Sequence, residues 1–498
     1  MFFSKKEMKE LFELWFNPIS ITGFTLVVVS VVMIISLTLI HIFFESGAPY
    51  SGLITFIILP PFCFIGLLMI PLGIFRQNRK LHKTGVRPNR FFTIDFNLAK
   101  HRKLFVVFII ATSVVVIIVS TLSAQAFHYS ESVEFCSSCH SVMDPETITH
   151  KLSSHARVSC VDCHVGSGAE WYVKSKLSGL YQVYSVFFDK YSRPIETPIH
   201  NLRPARDTCE TCHWPQFFIE DKMFTEHYFM PDEENTSGSI SLLMKIGGKP
   251  EHSKPSGIHW HITNKVSYIA TDKKKQNIPW VQVEDENGDL IVYESTEDPL
   301  TEEQIKTMPV MEMDCMDCHN RPSHVFKTPE DIINSLLYSK TINPDIPNIR
   351  KLGSTVLNGD YETTEEANKK IEELILAEYE DNEDVMPSMK EDIERTIQAI
   401  RKGYNENFFP EMKTRWDVHF SNIGHKRSLG CFRCHDDTHE NEDGDVISRD
   451  CNHCHIIVAQ GDLGEQKFFD ARGLDFIHPE DIDEEWQEIS CSECHTGE

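Results

Sequence analysis

Fourteen of the fifteen cysteines in this chain sit in seven copies of one five-residue word, Cys-x-x-Cys-His, spread over the last 363 of 498 residues. The copies read CSSCH, CVDCH, CETCH, CMDCH, CFRCH, CNHCH and CSECH. Two thiols three residues apart with an imidazole directly after them are the attachment signature of c-type haem: the thiols bond the porphyrin and the histidine takes the iron from below. The thiol pairs are Cys136/Cys139, Cys160/Cys163, Cys209/Cys212, Cys315/Cys318, Cys431/Cys434, Cys451/Cys454 and Cys491/Cys494. The proximal imidazoles are His140, His164, His213, His319, His435, His455 and His495. Zinc, a redox dithiol or a disulfide would explain one such word, but none of them needs a histidine after every second cysteine. The expectation is seven covalently bound haem c groups. Their packing should replace much of an ordinary core, so that the domain does not fold without haem.

Three apolar stretches precede the motifs, at residues 20–44, 52–75 and 104–127, and none contains Lys, Arg, Asp or Glu. Each is long enough to span a bilayer. The first is too long for a cleaved signal peptide and follows a mixed-charge segment. Cys63, beside Pro60 and Pro61 in the second stretch, reads as a small buried apolar residue near a kink. The connection 45–51 has no Lys or Arg, whereas 76–103 has nine, and cytoplasmic loops collect such residues. The N-terminus, with Lys5, Lys6 and Lys9, joins the same side. Three crossings then put everything after about residue 128 in the periplasm, where bacteria attach haem c. The expected localisation is the cytoplasmic (inner) membrane, multi-pass, with a cytoplasmic N-terminus and a periplasmic haem domain.

Charge follows the same division. Residues 1–127 carry 12 basic and 5 acidic side chains, so the rest carries 36 basic and 69 acidic ones, a net charge of −33. A field of that sign excludes nucleic-acid binding and favours basic patches on small partner proteins, with salt-sensitive association.

The predicted architecture is a membrane protein with three N-terminal transmembrane helices and a haem-packed, mainly α and irregular multihaem cytochrome c domain with a small β insertion. We divide it into a membrane domain (1–127), a trihaem module (128–215), a β-containing insertion (216–310), a segment around the fourth motif (311–330), a helical insertion (331–420) and a C-terminal trihaem module (421–498). In the β insertion, HWHITNKVSYIATD and WVQVEDENGDLIVYES alternate as strands do, with Asn287-Gly288 as a turn. In the helical insertion, TTEEANKKIEELILAEY has helical periodicity, and Ser388-x-x-Glu391 forms a capping box ahead of DIERTIQAIRKGY.

Cys136 follows the third apolar stretch by nine residues, so the first iron is expected at the outer membrane face, where a lipid-soluble quinol can reach it. Quinol oxidation releases protons, so the site needs polar groups near the haem edge. The stretch WYVKSKLSGLYQVYSV offers Lys174, Lys176 and Gln182.

The run from the third span through EFCSSCHSVMDP, HKLSSHARVSCVDCHVGSG and the lysine segment, roughly residues 104–215, resembles the N-terminal region of NapC/NirT/NrfH-type membrane quinol dehydrogenases. The resemblance implies oxidation of menaquinol in the cytoplasmic membrane and delivery of electrons to periplasmic c-type cytochromes. It maps the family's quinol-site lysine onto Lys174 or Lys176, and an aspartate of some members onto Gln182. Met143 would correspond to the axial methionine of the first haem, although it stands three residues after the motif histidine rather than the usual two. Most haems of the family are bis-histidine, which implies distal ligands among His150, His155, His200, His259, His261, His324, His425, His439 and His478. His41, His82 and His101 lie in the membrane domain and His453 inside its own motif, so these are set aside.

The function expected is a quinol:cytochrome c oxidoreductase of anaerobic or extracellular respiration. Two alternatives belong to other classes: an electron-wire or anchor subunit of a larger respiratory complex, and a terminal multihaem reductase. The second needs an open iron site, and there is no Cys-x-x-Cys-Lys variant to mark one.

Overall fold

A computed structural model describes residues 14–44, 59–84, 95–166, 168–199, 203–218, 220–247, 257–285, 287–380, 386–462 and 468–495. The chain divides into two compact units, Met1–Cys136 with Val165–Gly179, and Ser137–His164 with Leu180–Glu498.

The first unit is built on three long apolar helices, α1 (Pro18–Phe44), α2 (Leu59–Thr84) and α3 (Ala99–Tyr129). Each is long and apolar enough to cross a membrane. Their large side chains face outward, as in Phe108, Val107 and Leu122, a pattern that only lipid makes favourable. Without a hydrophobic drive between helices in lipid, close association needs small residues and polar pairs. The pairing of α1 with α2 uses both. A Cβ on Gly23 would meet Gly66 O at 2.7 Å, and one on Gly66 would meet Gly23 O at 2.6 Å. Farther along the seam, the buried Ser20 hydroxyl donates to Ile70 O at 2.8 Å and accepts from Asn17 Nδ2 at 2.8 Å. The second helix differs from its expected span. It starts at Leu59, residues 52–58 lie outside the described ones, and it continues through Arg76, Arg79 and Lys80 to Thr84. Basic side chains with long apolar stems extend a helix past the hydrocarbon edge without burying charge.

The second unit begins with α4 (His140–Leu152), and α5 (Ala169–Phe187) runs into it from the first. It contains two antiparallel sheets. In one, β1 (Lys222–Phe229), β2 (Ser237–Met244), β8 (His455–Asp462) and β9 (Phe468–Phe469) are ordered β1-β2-β8-β9. In the other, β3 (Val266–Ile269), β4 (Trp280–Glu284), β5 (Leu290–Ser295), β6 (Met311–Glu312) and β7 (His439–Glu440) are ordered β6-β3-β4-β5-β7. The β4–β5 turn is the one expected from Asn287-Gly288: Gly288 has φ +87°, and Asp285 Oδ1 accepts from Asn287 N and Asp289 N at 2.8 Å each. The β insertion is not self-contained. Strands β7 and β8 come from the C-terminal segment, so the boundaries drawn at 310 and 421 do not separate independent bodies.

The helical segment comprises α6 (Pro329–Tyr338), α7 (Ile349–Leu357), α8 (Thr364–Glu380) and α9 (Met386–Asn407). It has a conventional core of Ile333, Leu337, Ile349, Ile371, Ile375 and Ile400, all essentially solvent-free. On α8 the buried side chains Ala367, Ile371, Ile375 and Tyr379 recur every fourth residue. The expectation that haem replaces the core therefore does not extend to this segment. Helix α9 also begins earlier than expected. Pro387 fits its first turn, where no backbone N–H is needed, so Ser388 lies inside the helix rather than capping it.

Candidate haem centres

Most of the Cys-x-x-Cys words are wound into a single turn. Cys160–His164, Cys315–Cys318 and Cys491–Cys494 are α-helical turns, while Gly430–Arg433 and Cys451–His453 are 3-10 turns. The motif histidine closes the turn: the N–H groups of His213, His319, His435 and His495 donate to the carbonyl of the first cysteine four residues back at 2.8, 2.8, 3.0 and 2.9 Å. Residues i, i+3 and i+4 share a helix face, so in these motifs both thiols and the imidazole present one surface. Short polar residues ahead of the motifs cap these turns: Asp314 accepts from Met316 N at 2.7 Å and Asp450 from Asn452 N at 2.8 Å.

The first motif departs from that pattern at Cys139. Cys136 closes a short helix, Val133–Cys136, in the first unit, whereas Cys139 ends a separate 3-10 turn, Ser137–Cys139, in the second. The cause is local: α4 starts at His140 and takes Cys139 as its N-cap, with non-helical backbone angles of φ −78° and ψ 26°. The expected thioether pair Cys136/Cys139 is thus not carried on one element as the other pairs are, and the assignment of Cys139 rests on the sequence motif.

Six motif imidazoles face a second imidazole. Ring centres are 6.3 Å apart for His164–His324, 6.0 Å for His213–His155, 6.4 Å for His319–His259, 5.8 Å for His435–His261, 6.2 Å for His455–His425 and 6.2 Å for His495–His478. A metal-bound imidazole nitrogen lies about 2 Å from its ion and the ring centre about 1 Å farther back, so two rings bracketing one ion have centres roughly 6 Å apart. Direct contact between rings would instead bring the centres closer, as in the stacked pair His227–Tyr338 at 3.7 Å. The donor set and its spacing thus fit a haem iron between each pair.

Tautomers agree with this reading. Nδ1 of His155 lies 3.2 Å from Pro322 O, that of His259 3.1 Å from Ile246 O, that of His261 2.8 Å from Ile258 O and that of His324 3.0 Å from Glu146 O. A carbonyl only accepts, so Nδ1 carries the proton and Nε2 keeps its lone pair for a metal. Nδ1 of His478 lies 2.9 Å from Glu480 O and 3.2 Å from Glu480 N. Burial pushes His164, His259, His261, His319, His435 and His455 below the usual histidine value, and His324, His425 and His495 down to about 4. Neutral imidazole is the ligating form.

The remaining expected distal residues are placed differently. His439 engages both nitrogens, Nδ1 with Asp436 Oδ1 at 2.9 Å and Nε2 with Ile278 O at 2.7 Å. Burial disfavours its charge, but these two acceptors outweigh that and raise its pKa, so it is a doubly bonded cation locking β7 in place and not a ligand. His150 donates Nε2–H to Val158 O at 3.0 Å, and its ring stands 6.2 Å from His324, whose motif partner is His164. Met143 is half-buried on α4, but the His140 side chain lies outside the described residues, as does His200. Sequence reasoning missed Glu146 and Arg321. Glu146 Oε2 lies 3.1 Å from His324 Nδ1, and the buried Arg321 guanidinium lies 3.6 Å from Glu146 Oε1. The motif MDPE carried no signal for this, because the contact spans 178 residues.

The lysine segment is resolved in register. On α5, Lys176 is half-buried, with Nζ 3.4 Å from both Ser130 O and Ser130 Oγ, where Ser130 caps the C-terminal end of α3. Lys174 is exposed, with its ammonium 4.7 Å above the Trp171 ring. Gln182 is exposed six residues beyond Lys176, about 240° around the helix at 100° per residue, so one helix does not present these two side chains to a single ligand.

Spans, motif turns and bracketed ring pairs together define a membrane-anchored multihaem c-type cytochrome, a protein of electron transfer. The family model for the N-terminal region of the NapC/NirT cytochrome c family matches residues 99–203. Over 485 residues the chain is 41% identical to the cytochrome c-type protein ImcH of Geobacter sulfurreducens, an alignment covering 97% of this chain and 95% of that protein. It is also 33% identical over 98 residues to the cytochrome c nitrite reductase subunit NrfH of Nitratidesulfovibrio vulgaris, covering 19% of this chain and 61% of that subunit. A third similarity, 31% over 111 residues, is to the cytochrome c-type protein NrfH of Wolinella succinogenes, with 22% and 62% covered. The chain belongs to the NapC/NirT-type multihaem cytochromes c that include ImcH, and it binds haem c covalently. No solved structure matches it.

Proposed function

We propose that the protein oxidises a quinol, menaquinol by family resemblance, at the outer face of the cytoplasmic membrane and passes the electrons to periplasmic c-type cytochromes. The single observation that carries this reading is Lys176: a half-buried ammonium held at the end of a membrane-spanning helix, seven residues from the first motif thiol, Cys136. Its present partners are a carbonyl and a hydroxyl at the long distance of 3.4 Å, contacts that a quinol oxygen can replace. Nζ then orients the quinol head group by donating to its oxygen, and the proton released on oxidation leaves through the polar groups beside it.

Seven motifs hold seven haems in this reading, with cytoplasmic N-terminus and periplasmic motifs following from the basic loop 76–103. Haem, when attached, supplies one-electron chemistry. Histidines on both sides of six irons close those sites to substrate, which favours electron transfer over a terminal reductase. The test is stopped-flow reduction of the detergent-solubilised protein by a menaquinol analogue. Lys176→Ala is expected to slow quinol-driven reduction by about tenfold or more, the scale of losing a charge-assisted hydrogen bond, with dithionite reduction unchanged. Lys174→Ala should change it less than about threefold, in line with its exposed position. Equal rates in wild type and Lys176→Ala would remove the lysine from the site.

A further inference from the structure

We infer that the cofactor sites of motifs 2 to 7 stand in single file in the order of the sequence, with motif 7 (Cys491, Cys494, His495 and its partner His478) as the outlet. The direction of flow rests on the quinol-oxidation reading; the order does not.

Each link has its own contact. Between motifs 2 and 3, His155, five residues ahead of Cys160, is the ring facing His213, and the Cys163 and Cys212 thiols lie within reach of each other's charge. Between motifs 3 and 4, the thiols of Cys209 and Cys315 hydrogen-bond. Between motifs 4 and 5, Arg433, inside CFRCH, donates to Asp317 O, inside CMDCH, at 2.7 Å. The rings facing these two motif histidines, His259 and His261, are two residues apart. Between motifs 5 and 6, His425, the ring facing His455, stacks on Phe432 of CFRCH with centres 4.2 Å apart. Between motifs 6 and 7, Arg449 Nη2 donates to Ile489 O at 3.1 Å, tying the residues just ahead of each motif, and the Cys451 and Cys491 thiols sense each other's charge.

The link contacts described for motif 7 lead back to motif 6, so it ends the file. A file passes one electron at a time: each site loses the electron its neighbour gains, with no bond made and no proton moved. The acceptor at the end must be a one-electron oxidant. Residues 473–498 hold nine carboxylate side chains and no Lys or Arg, so the acceptor that fits is a haem protein with a positive surface.

The experiment uses full-length, solubilised holoprotein, with haem counted by mass spectrometry. Cys315→Ala/Cys318→Ala removes the motif 4 cofactor. Dithionite should still reduce all six that remain, whereas a menaquinol analogue should rapidly reduce only those of motifs 1 to 3, half the α-band amplitude. Rapid quinol reduction of all six overturns the single file. Cys491→Ala/Cys494→Ala removes only the last site: quinol should reduce the other six normally, while reoxidation by a basic monohaem cytochrome c should slow by about tenfold or more. Reoxidation at the wild-type rate overturns motif 7 as outlet, and this variant decides the outlet even if the motif 4 variant fails to mature. Absence of quinol reduction in the wild type would instead count against quinol oxidation. The order is then read from dithionite-reduced protein, in which the basic cytochrome should rapidly reoxidise only motifs 5 to 7 of the motif 4 variant.

Discussion

At the scale of the residue, two histidines of similar burial have opposite chemistry because of where their nitrogens point. His261 has one ring nitrogen on a carbonyl and one facing His435, whereas His439 has both nitrogens occupied. His261→Ala is expected to open the motif 5 site, seen as new carbon monoxide binding to reduced protein, while His439→Ala should leave every haem spectrum unchanged. Carbon monoxide binding to the second variant and not the first would reverse the assignment. Glu330 makes the other residue-scale prediction. Its carboxylate lies 2.9 Å from Arg350 Nη2 and also pairs with Arg427, all three mostly buried. Burial pushes its pKa up, but Lys426, Arg427 and Arg350 together hold it down at about 2. A carboxyl depressed below its ordinary 4.5 contributes stability that is full above that value and lost as pH falls through about 2. Glu330→Gln should therefore cost about 3–5 kcal/mol near neutral pH by stranding two guanidiniums. The gap in Tm from wild type should narrow as the pH approaches about 3. A gap independent of pH would contradict the ion cluster.

At the scale of the element, local words were readable and long-range partners were not. The motif turns, the β4–β5 turn and helix α8 follow from spacing that any window of the chain contains. Strand β2 was missed because SGSISLLM alternates weakly and finds its partner, β8, more than two hundred residues away at the histidine of motif 6. For the same reason the distal ligands could be narrowed to a set but not paired: His478 looked like the weakest candidate and His439 like a good one, and only tertiary contacts separate them. The core of α6 to α9 was legible as periodicity, yet its independence from haem was not. Ile371→Ala, at a site with no solvent exposure, should cost about 2–5 kcal/mol in that segment, read as faster proteolysis of α6 to α9 with unchanged haem absorption. Loss of haem in that variant would show that the helical core and the cofactor sites fold as one.

At the scale of the whole molecule, charge and cofactor order act together. With a net −33 after residue 127, electron transfer to a basic acceptor should slow steeply as ionic strength rises from about 0.01 to 0.15 M, where the screening length shrinks from roughly 30 to 8 Å. Insensitivity to salt would remove the electrostatic contribution. The ring pairs also carry a timetable for biogenesis. In five of the six pairs the second histidine precedes its motif in the chain: His155, His259, His261, His425 and His478. A chain exported from its N-terminus already holds both ligands when each of those motifs emerges. Motif 2 is the exception, because His324 follows His164 by 160 residues. Its iron must wait, half-ligated, while two further motifs are secreted and loaded, so a chain that stalls before residue 324 leaves one reactive haem beside the membrane.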